Sequence, residues 1–103
     1  MSKTKKTTEI KTILDERGKN YGDFMGHARI TIKLKLAIEE HLVDCNNNVI
    51  KADQLEALHM ICHKIGRIIN GNPDYIDSWI DIAGYAKLVS DRLEKNLSEN
   101  SNR

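Results

Sequence analysis

The sequence has little of what marks a membrane, nucleic-acid-binding or metal-binding protein. No apolar run approaches the roughly 18 residues that a membrane span needs. The 16 basic and 15 acidic residues leave a net charge of +1, without the excess of Lys and Arg that a general nucleic-acid or membrane-surface binder requires. Its two cysteines, Cys45 and Cys62, match no metal spacing. With no signal peptide, the simplest expectation is a cytosolic protein with free thiols.

Several enzyme signatures are also missing. There is no GxxxxGK[ST] phosphate-binding loop, no GxSxG nucleophile turn and no HExxH zinc motif. His59 and His63 have the i, i+4 spacing that presents two ligands to one metal, but no third or fourth ligand is evident. Half-buried packing is therefore the favoured interpretation of this pair.

The only proline marks the feature around which the chain is organised, a predicted helical hairpin over residues 51–97. Asn70 and Gly71 are expected to end its first helix, with Gly71 in the left-handed conformation. Asn72 is predicted to cap the next helix, with Pro73 at the first helical position, where its missing N–H costs nothing. The two helices should therefore pack antiparallel.

Apolar residues at helical spacing predict the buried faces of this hairpin. The first stripe consists of Leu55, Leu58, Cys62, Ile65 and Ile69, and the second of Ile76, Trp79, Ile80, Ala83, Ala86, Val89, Leu93 and Leu97. Asp53 and Glu56 are predicted to form a capping box at the hairpin's start. We expect Trp79 to be mostly buried, so that Trp79→Ala would cost about 3–5 kcal/mol. Gly66 and Gly84 are read as points of close helix approach on facing surfaces.

The N-terminal half predicts two further helices. The first is expected to start at a Thr7 or Thr8 cap and to stop at Gly18. Residues 29–36 alternate polar and apolar like a strand, but no second strand candidate exists, so Gly26 to about Val43 is interpreted as a helix. Residues 1–6 and 98–103 are expected to be disordered tails.

The predicted second helix carries two opposed apolar stripes. Ile30, Leu34, Ala37 and Ile38 form one stripe, and Met25, Ile32, Leu36 and Val43 form the other. One stripe suffices for a single-domain core. The second stripe, represented by Ile32, Leu36 and Val43, is therefore predicted to lie in the subunit interface of a homo-oligomer.

A cluster of charges on the hairpin leaves two interpretations open. Asp77 and Asp81 lie near the start of its second helix and can face Lys64 and Arg67 on the first. The charges can form a salt-bridge ladder that fixes the hairpin angle. Alternatively, the two bases receive a phosphate and the two carboxylates hold a divalent cation.

Three motifs resemble a small, uncharacterised family of phage and prophage proteins. They are RGKNYGDF at residues 17–24, HKIGR at 63–67 and GNPDYIDSWIDIAGYAKL at 71–88, and the likeness covers residues 9–94. Some relatives are labelled phage nucleotide kinases, and the motifs are loosely similar to all-helical nucleoside-triphosphate pyrophosphohydrolases. Those hydrolases hold magnesium with ExxE and ExxD motifs. Here Glu39-Glu40 is not followed by an acid three residues on, which puts hydrolysis in doubt.

The resemblance implies a polar site that binds or processes a nucleotide of phage metabolism. The phosphate- or substrate-binding candidates are Arg17, Tyr21, Lys64, Arg67 and Tyr85, with Asp23 beside them and Asp77 and Asp81 as ligands of a magnesium ion. The alternative is a non-catalytic accessory or counter-defence protein that binds a host protein or sequesters a signalling nucleotide. In either case it would act in the host cytoplasm.

The sequence therefore predicts an all-α, four-helix domain built on a C-terminal antiparallel hairpin. Residues 17–24 are expected to fold over residues 63–81 and to close one side of a polar pocket. Arg67→Ala and Asp77→Ala are then expected to abolish ligand binding without loss of helix.

Overall fold

A computed structural model describes residues 2–44 and 49–101, and the side chains of residues 9–42 and 49–100. It contains α1 (Ser2–Tyr21), α2 (Phe24–Asp44), α3 (Ala52–Asn70) and α4 (Ile76–Ser101). The predicted all-α, four-helix fold is confirmed, and the alternating residues 29–36 lie within α2. No helix in the described part of the chain is both long and apolar enough to cross a membrane.

The ends of α1 differ from the prediction. The helix continues three residues past Gly18, so that most of the segment expected to be a loop is helical and only residues 22 and 23 connect α1 to α2. Gly18 lies in the helix with nothing within 4 Å of its Cβ position. At the other end, α1 begins at Ser2, inside the expected tail, and α4 likewise continues to Ser101.

The hairpin has different caps from those predicted. Lys51 precedes α3, and its backbone N–H donates to the Gln54 side chain at 2.9 Å, while Asp53 instead accepts two 2.8 Å hydrogen bonds from Arg92 on α4. Pro73 lies in a turn before α4, because the Asn72 side-chain oxygen accepts the Asp74 N–H at 3.0 Å. This local hydrogen bond competes with helix formation and delays the start of α4 to Ile76.

α3 is the central helix of the arrangement. α3 packs on α2 along one side and on α4 along the other, while α1 contacts α2 and α3. Between α2 and α4 the described residues make no contact. Domains ordinarily bury their apolar faces between packed layers of secondary structure, whereas among the described helices α4 packs on α3 alone.

Very little of the chain is buried as a result. Among the described side chains, the buried apolar residues are Ala57 and Cys62, and burial raises the pKa of the Cys62 thiol. The radius of gyration is 18.3 Å, against about 13 Å for a compact domain of this length. The prediction of a mostly buried Trp79 is wrong for the single chain, where 53% of the residue is exposed and its indole N–H donates to the Pro73 carbonyl at 2.8 Å.

The two glycines inside the hairpin helices have different surroundings. A Cβ on Gly66 would lie 2.7 Å from Thr31 Oγ1 and 2.9 Å from His27 Nδ1, so α2 approaches α3 closely there. A Cβ on Gly84 would have nothing within 4 Å. The two glycines thus do not face each other, which corrects the prediction.

This contrast gives a matched pair of substitutions. Gly84→Ala is expected to stabilise the protein by about 1 kcal/mol, because alanine has the higher helix propensity. Gly66→Ala gains the same propensity but overpacks the α2–α3 contact, and we expect a net loss of about 1–2 kcal/mol. Urea denaturation at one protein concentration measures both variants. Equal effects of the same sign would contradict the close approach at Gly66.

Candidate functional site

The site is built where the connection between α1 and α2 meets the end of α3. The Asn70 side-chain amide donates to the carbonyls of Tyr21 at 2.9 Å and Asp23 at 2.7 Å. The Asn72 N–H donates to the Asn20 carbonyl at 2.7 Å. These bonds hold the segment of residues 17–24 against the hairpin turn.

Two glycines allow this contact, for different reasons. Gly22 has a φ of 75°, the left-handed region that glycine enters without strain. Gly71 has a φ of −130°, so the left-handed conformation predicted for it is wrong. Glycine is needed there because a Cβ would collide with the backbone of Asn20 and Tyr21.

A cleft of about 420 Å³ opens between α1, α2 and α3. Its lining residues are Leu14, Arg17, Gly18, Tyr21, Gly22, Asp23, Phe24, His27 and Arg67. Three of the predicted binding residues, Arg17, Tyr21 and Arg67, are therefore brought together. We call this the α1–α2–α3 cleft.

Arg67 is the best-positioned charge in the α1–α2–α3 cleft. Its guanidinium carbon lies 4.4 Å from the centre of the Tyr21 ring, and Tyr21 is in turn supported edge-on by Tyr75 at 5.7 Å between ring centres. Stacking on an aromatic face favours a guanidinium and fixes its plane. Among the described residues, neither Arg17 nor Arg67 forms an ion pair with a carboxylate.

A second cavity, of about 240 Å³, is also lined by Arg67. It shares Phe24, His27 and Arg67 with the α1–α2–α3 cleft and adds Ala28, Thr31, Ile32, Lys35 and His63. Phe24 is 83% exposed and stacks on His27 at 6.3 Å between ring centres. An aromatic ring thus stands in the mouth shared by both openings.

The two histidines form a hydrogen-bonded chain that fixes their tautomers. Lys35 Nζ donates to His63 Nε2 at 2.8 Å, so His63 carries its proton on Nδ1 and donates to His27 Nε2 at 3.4 Å. Thr31 Oγ1 lies 3.3 Å from the same His27 nitrogen. His27 Nδ1 then bears the other proton, is buried and finds no hydrogen-bond partner in the described part of the chain. In this series of hydrogen bonds both the His27 and the His63 rings are neutral.

Burial and the surrounding positive charges both favour the neutral histidines. Burial, followed by the charges of Arg67, Lys35 and Lys64, lowers the pKa of His27 below its ordinary 6.5. Burial lowers the pKa of His63 as well, with the charge of Lys35 as the next cause. The positive charges around the two rings add to the effect of burial, and a bound anion would oppose their part of it.

These shifts predict how stability depends on pH. As pH falls below about 6.5, the unfolded chain takes up protons before the folded one, so stability is full above this value and declines towards the lowered pKa values. We expect the melting temperature to drop between pH 7.5 and 5.5, and to drop less in His63→Gln. The low pKa of Asp53, held down by its hydrogen bond with Arg92, acts below pH 3.8 and outside this window. An identical drop in melting temperature in the wild type and in His63→Gln would contradict the assignment of this pH dependence to the buried histidines.

The other predicted site residues lie outside the α1–α2–α3 cleft. Lys64 is buried and pairs with Asp81 at 2.9 Å, and Asp77 accepts a hydrogen bond from the Tyr75 hydroxyl, which raises the pKa of Tyr75. Tyr85 lines a separate shallow groove on α4 together with Asp81. Of the four charged residues that the sequence placed in one hairpin cluster, only Arg67 therefore lines the α1–α2–α3 cleft.

No group of three or more His, Cys, Asp or Glu side chains suited to a metal occurs within residues 2–44 and 49–101. His59 shows no metal partner there and has a buried, unbonded Nε2. His27, Lys35 and the role of His63 were not predicted from the sequence. Gly66 was the available signal, because an unfavoured glycine inside a helix marks the place where His27 and Thr31 come closest.

Comparison with known proteins finds one family. The model of a domain of unknown function, DUF6378, matches residues 7–93. This span contains every residue that lines the two openings. Neither the curated proteins nor the solved structures include a match.

Proposed function

The chain belongs to the DUF6378 family, a family of unknown function, and we propose that it binds a phosphate-bearing nucleotide in the α1–α2–α3 cleft. The observation that carries this proposal is the placement of Arg67. It lines both openings and stacks on Tyr21, without a carboxylate partner in the described residues.

A phosphate is the group that this arrangement fits best. Arginine offers five N–H donors in a planar fork that matches two oxygens of a phosphate or carboxylate. Arg17 approaches from α1 and Lys35 from α2, while Asp23 is the only carboxylate among the described residues that line either opening. Asp23 Oδ1 already accepts the Gly26 N–H at 3.2 Å. The local excess of positive charge favours a polyanion.

The exposed aromatic ring supports a nucleotide over inorganic phosphate. Bases stack on aromatic side chains with a free energy of about 1–3 kcal/mol for each base. Tyr21 is half-buried between Arg67 and Tyr75, whereas Phe24 is 83% exposed although it stacks on His27, so Phe24 is the more accessible ring for a base. The likeness of the motifs to phage and prophage proteins supports a role in phage nucleotide metabolism.

The chemistry proposed for the α1–α2–α3 cleft is binding rather than hydrolysis. Two-carboxylate motifs that hold magnesium are absent from its lining, and Asp81 is engaged by Lys64. Magnesium binds proteins through one or two carboxylates together with substrate phosphates. Any magnesium would therefore arrive with the nucleotide, with Asp23 as the nearest carboxylate and Asp77 and Asp81 as the candidates from sequence.

A thermal-shift screen against nucleoside triphosphates, with and without magnesium, tests the proposal. A ligand at about 100 times its Kd stabilises by about 2.7 kcal/mol, which raises the melting temperature by roughly 10 °C or more in a domain of this size. The matched nucleoside and sodium sulfate serve as controls for base and anion. A screen in which no nucleotide exceeds the effect of equal ionic strength would overturn the proposal.

A further inference from the structure

We propose that a second copy of this chain covers one face of the α3–α4 hairpin. The residues that form this hairpin face are Leu58, Ile65, Ile69, Trp79, Ala86 and Leu93. Two copies would stack their hairpins to give a four-helix interface. The inference does not depend on the proposed nucleotide site.

Helix geometry places these side chains on one face of the α3–α4 hairpin. At about 100° per residue, Leu58, Ile65 and Ile69 lie within about 40° of one another on α3, as do Trp79, Ala86 and Leu93 on α4. An apolar groove of about 410 Å³ runs between the two stripes and is lined by Leu58, Ala86 and Leu93 among others. Arg67 is about 180° from the α3 stripe, so the hairpin face is opposite the α1–α2–α3 cleft.

The hairpin face is apolar and largely uncovered. Its exposed fractions are 39% at Leu58, 67% at Ile69, 53% at Trp79 and 40% at Leu93. No charged residue belongs to either stripe. Soluble monomers rarely leave a contiguous apolar patch of this kind in water.

The exposed area has the size that an obligate dimer removes. The chain exposes 8269 Å², about 2,400 Å² more than the roughly 5,900 Å² expected for a compact monomer of 11.8 kDa. Obligate homodimers bury about 1,000–2,500 Å² on each subunit. One interface of that class would bring the chain close to the area of an ordinary compact protein.

A second copy fits better than an occasional partner, because the chain needs the cover in order to fold. With Ala57 and Cys62 as the buried apolar residues among the described side chains, one chain lacks the core that normally offsets chain entropy. A partner required for folding must be present whenever the chain is made, and its own copy always is. Two antiparallel helix pairs are also self-complementary across a two-fold axis, ridge into groove.

The α2 stripe predicted from sequence is the competing surface. Ile32 and Leu36 are 57% and 49% exposed, and the side chain of Val43 lies outside the described residues. Ile32 also lines the smaller cavity beside Lys35 and His63. The hairpin face is wider, spans two helices and contains a groove, and for these reasons we assign the interface to it.

The wild-type protein can be tested without substitution, because Trp79 is its only tryptophan. We expect a dimer in sedimentation velocity at micromolar concentration, with a Trp79 emission that iodide quenches far less than the emission of free indole. A folded monomer would overturn the proposal. A dimer whose Trp79 remains open to iodide would overturn it too, because the interface would then lie elsewhere.

Two leucine substitutions of similar exposure separate the surfaces. Leu93→Glu is expected to raise the dimer Kd by about 100-fold or more, through a charge desolvated at the contact. Leu36→Glu is expected to leave sedimentation unchanged. The reverse pattern would support the α2 stripe and overturn the proposal. If the Leu93→Glu protein does not fold, iodide quenching of the Trp79 emission in the wild-type protein still tests the proposed interface.

Discussion

Arg67→Ala is expected to weaken nucleotide binding by about 100-fold, since a charge-assisted bidentate contact contributes about 1.5–3 kcal/mol and its loss leaves a phosphate without its donors. The helical circular dichroism should remain intact, because Arg67 is only half-buried and has no ion pair in the described residues. Isothermal titration with the best nucleotide from the screen measures the change.

Arg29→Ala is the matched control for this experiment. Arg29 is an exposed arginine on α2 that lines neither opening, so its removal lowers the net charge equally and should change the Kd by less than about threefold. Equal losses in Arg67→Ala and Arg29→Ala would show general charge attraction rather than a site.

Asp77→Ala distinguishes the sequence prediction from the structure. The sequence predicted that this substitution abolishes ligand binding, whereas the position of Asp77 beside Tyr75 leads us to expect only a small effect on the Kd.

Asn70→Ala is expected to have the largest effect on stability, a loss of about 2–3 kcal/mol. Its amide group donates to two carbonyls, Tyr21 and Asp23, at 2.9 and 2.7 Å. Each intramolecular hydrogen bond contributes about 1 kcal/mol, and a carbonyl left without a partner adds to the loss. Urea denaturation at fixed protein concentration measures the effect, and nucleotide affinity should fall too because the connection between α1 and α2 is released.

Asn20→Ala provides the comparison for this prediction. The Asn20 side chain donates to the Glu16 carbonyl in its own helix, at 3.2 Å and exposed, so its removal should change the free energy of unfolding by at most about 0.5 kcal/mol. If the two asparagine variants were equally stable, the contact between α3 and the α1–α2 connection would not organise this end of the molecule.

The sequence was sufficient for the helices but not for what surrounds them. Helical spacing of apolar residues identified the two hairpin helices, because periodicity reflects the geometry of one helix at a time, whereas α2 was inferred from the lack of a partner strand. Burial depends on a neighbour, and Ile69 and Trp79, each in its own predicted stripe, are both more than half exposed in this chain. Local hydrogen bonds, such as that of Asn72 with Asp74, decided the helix ends.

The site was half predictable for a similar reason. Arg17, Tyr21 and Arg67 carry the motif and converge on the α1–α2–α3 cleft. Lys64 and Arg67 are three residues apart, yet Lys64 turns to Asp81 on α4 while Arg67 turns to Tyr21 on α1. Charge spacing alone could not divide the cluster, since the division depends on where α1 and α4 pack against α3.

An amide NMR titration of the wild type with the nucleotide tests the central claim most directly. The six glycines are natural reporters, because Gly18 and Gly22 line the α1–α2–α3 cleft and Gly26, Gly66 and Gly71 surround it, while Gly84 lies in α4 with nothing within 4 Å of its Cβ position. We predict that the Gly18 and Gly22 signals shift in proportion to occupancy and that Gly84 stays in place. A saturable shift at Gly84, with Gly18 and Gly22 unmoved, would contradict the α1–α2–α3 cleft as the binding site.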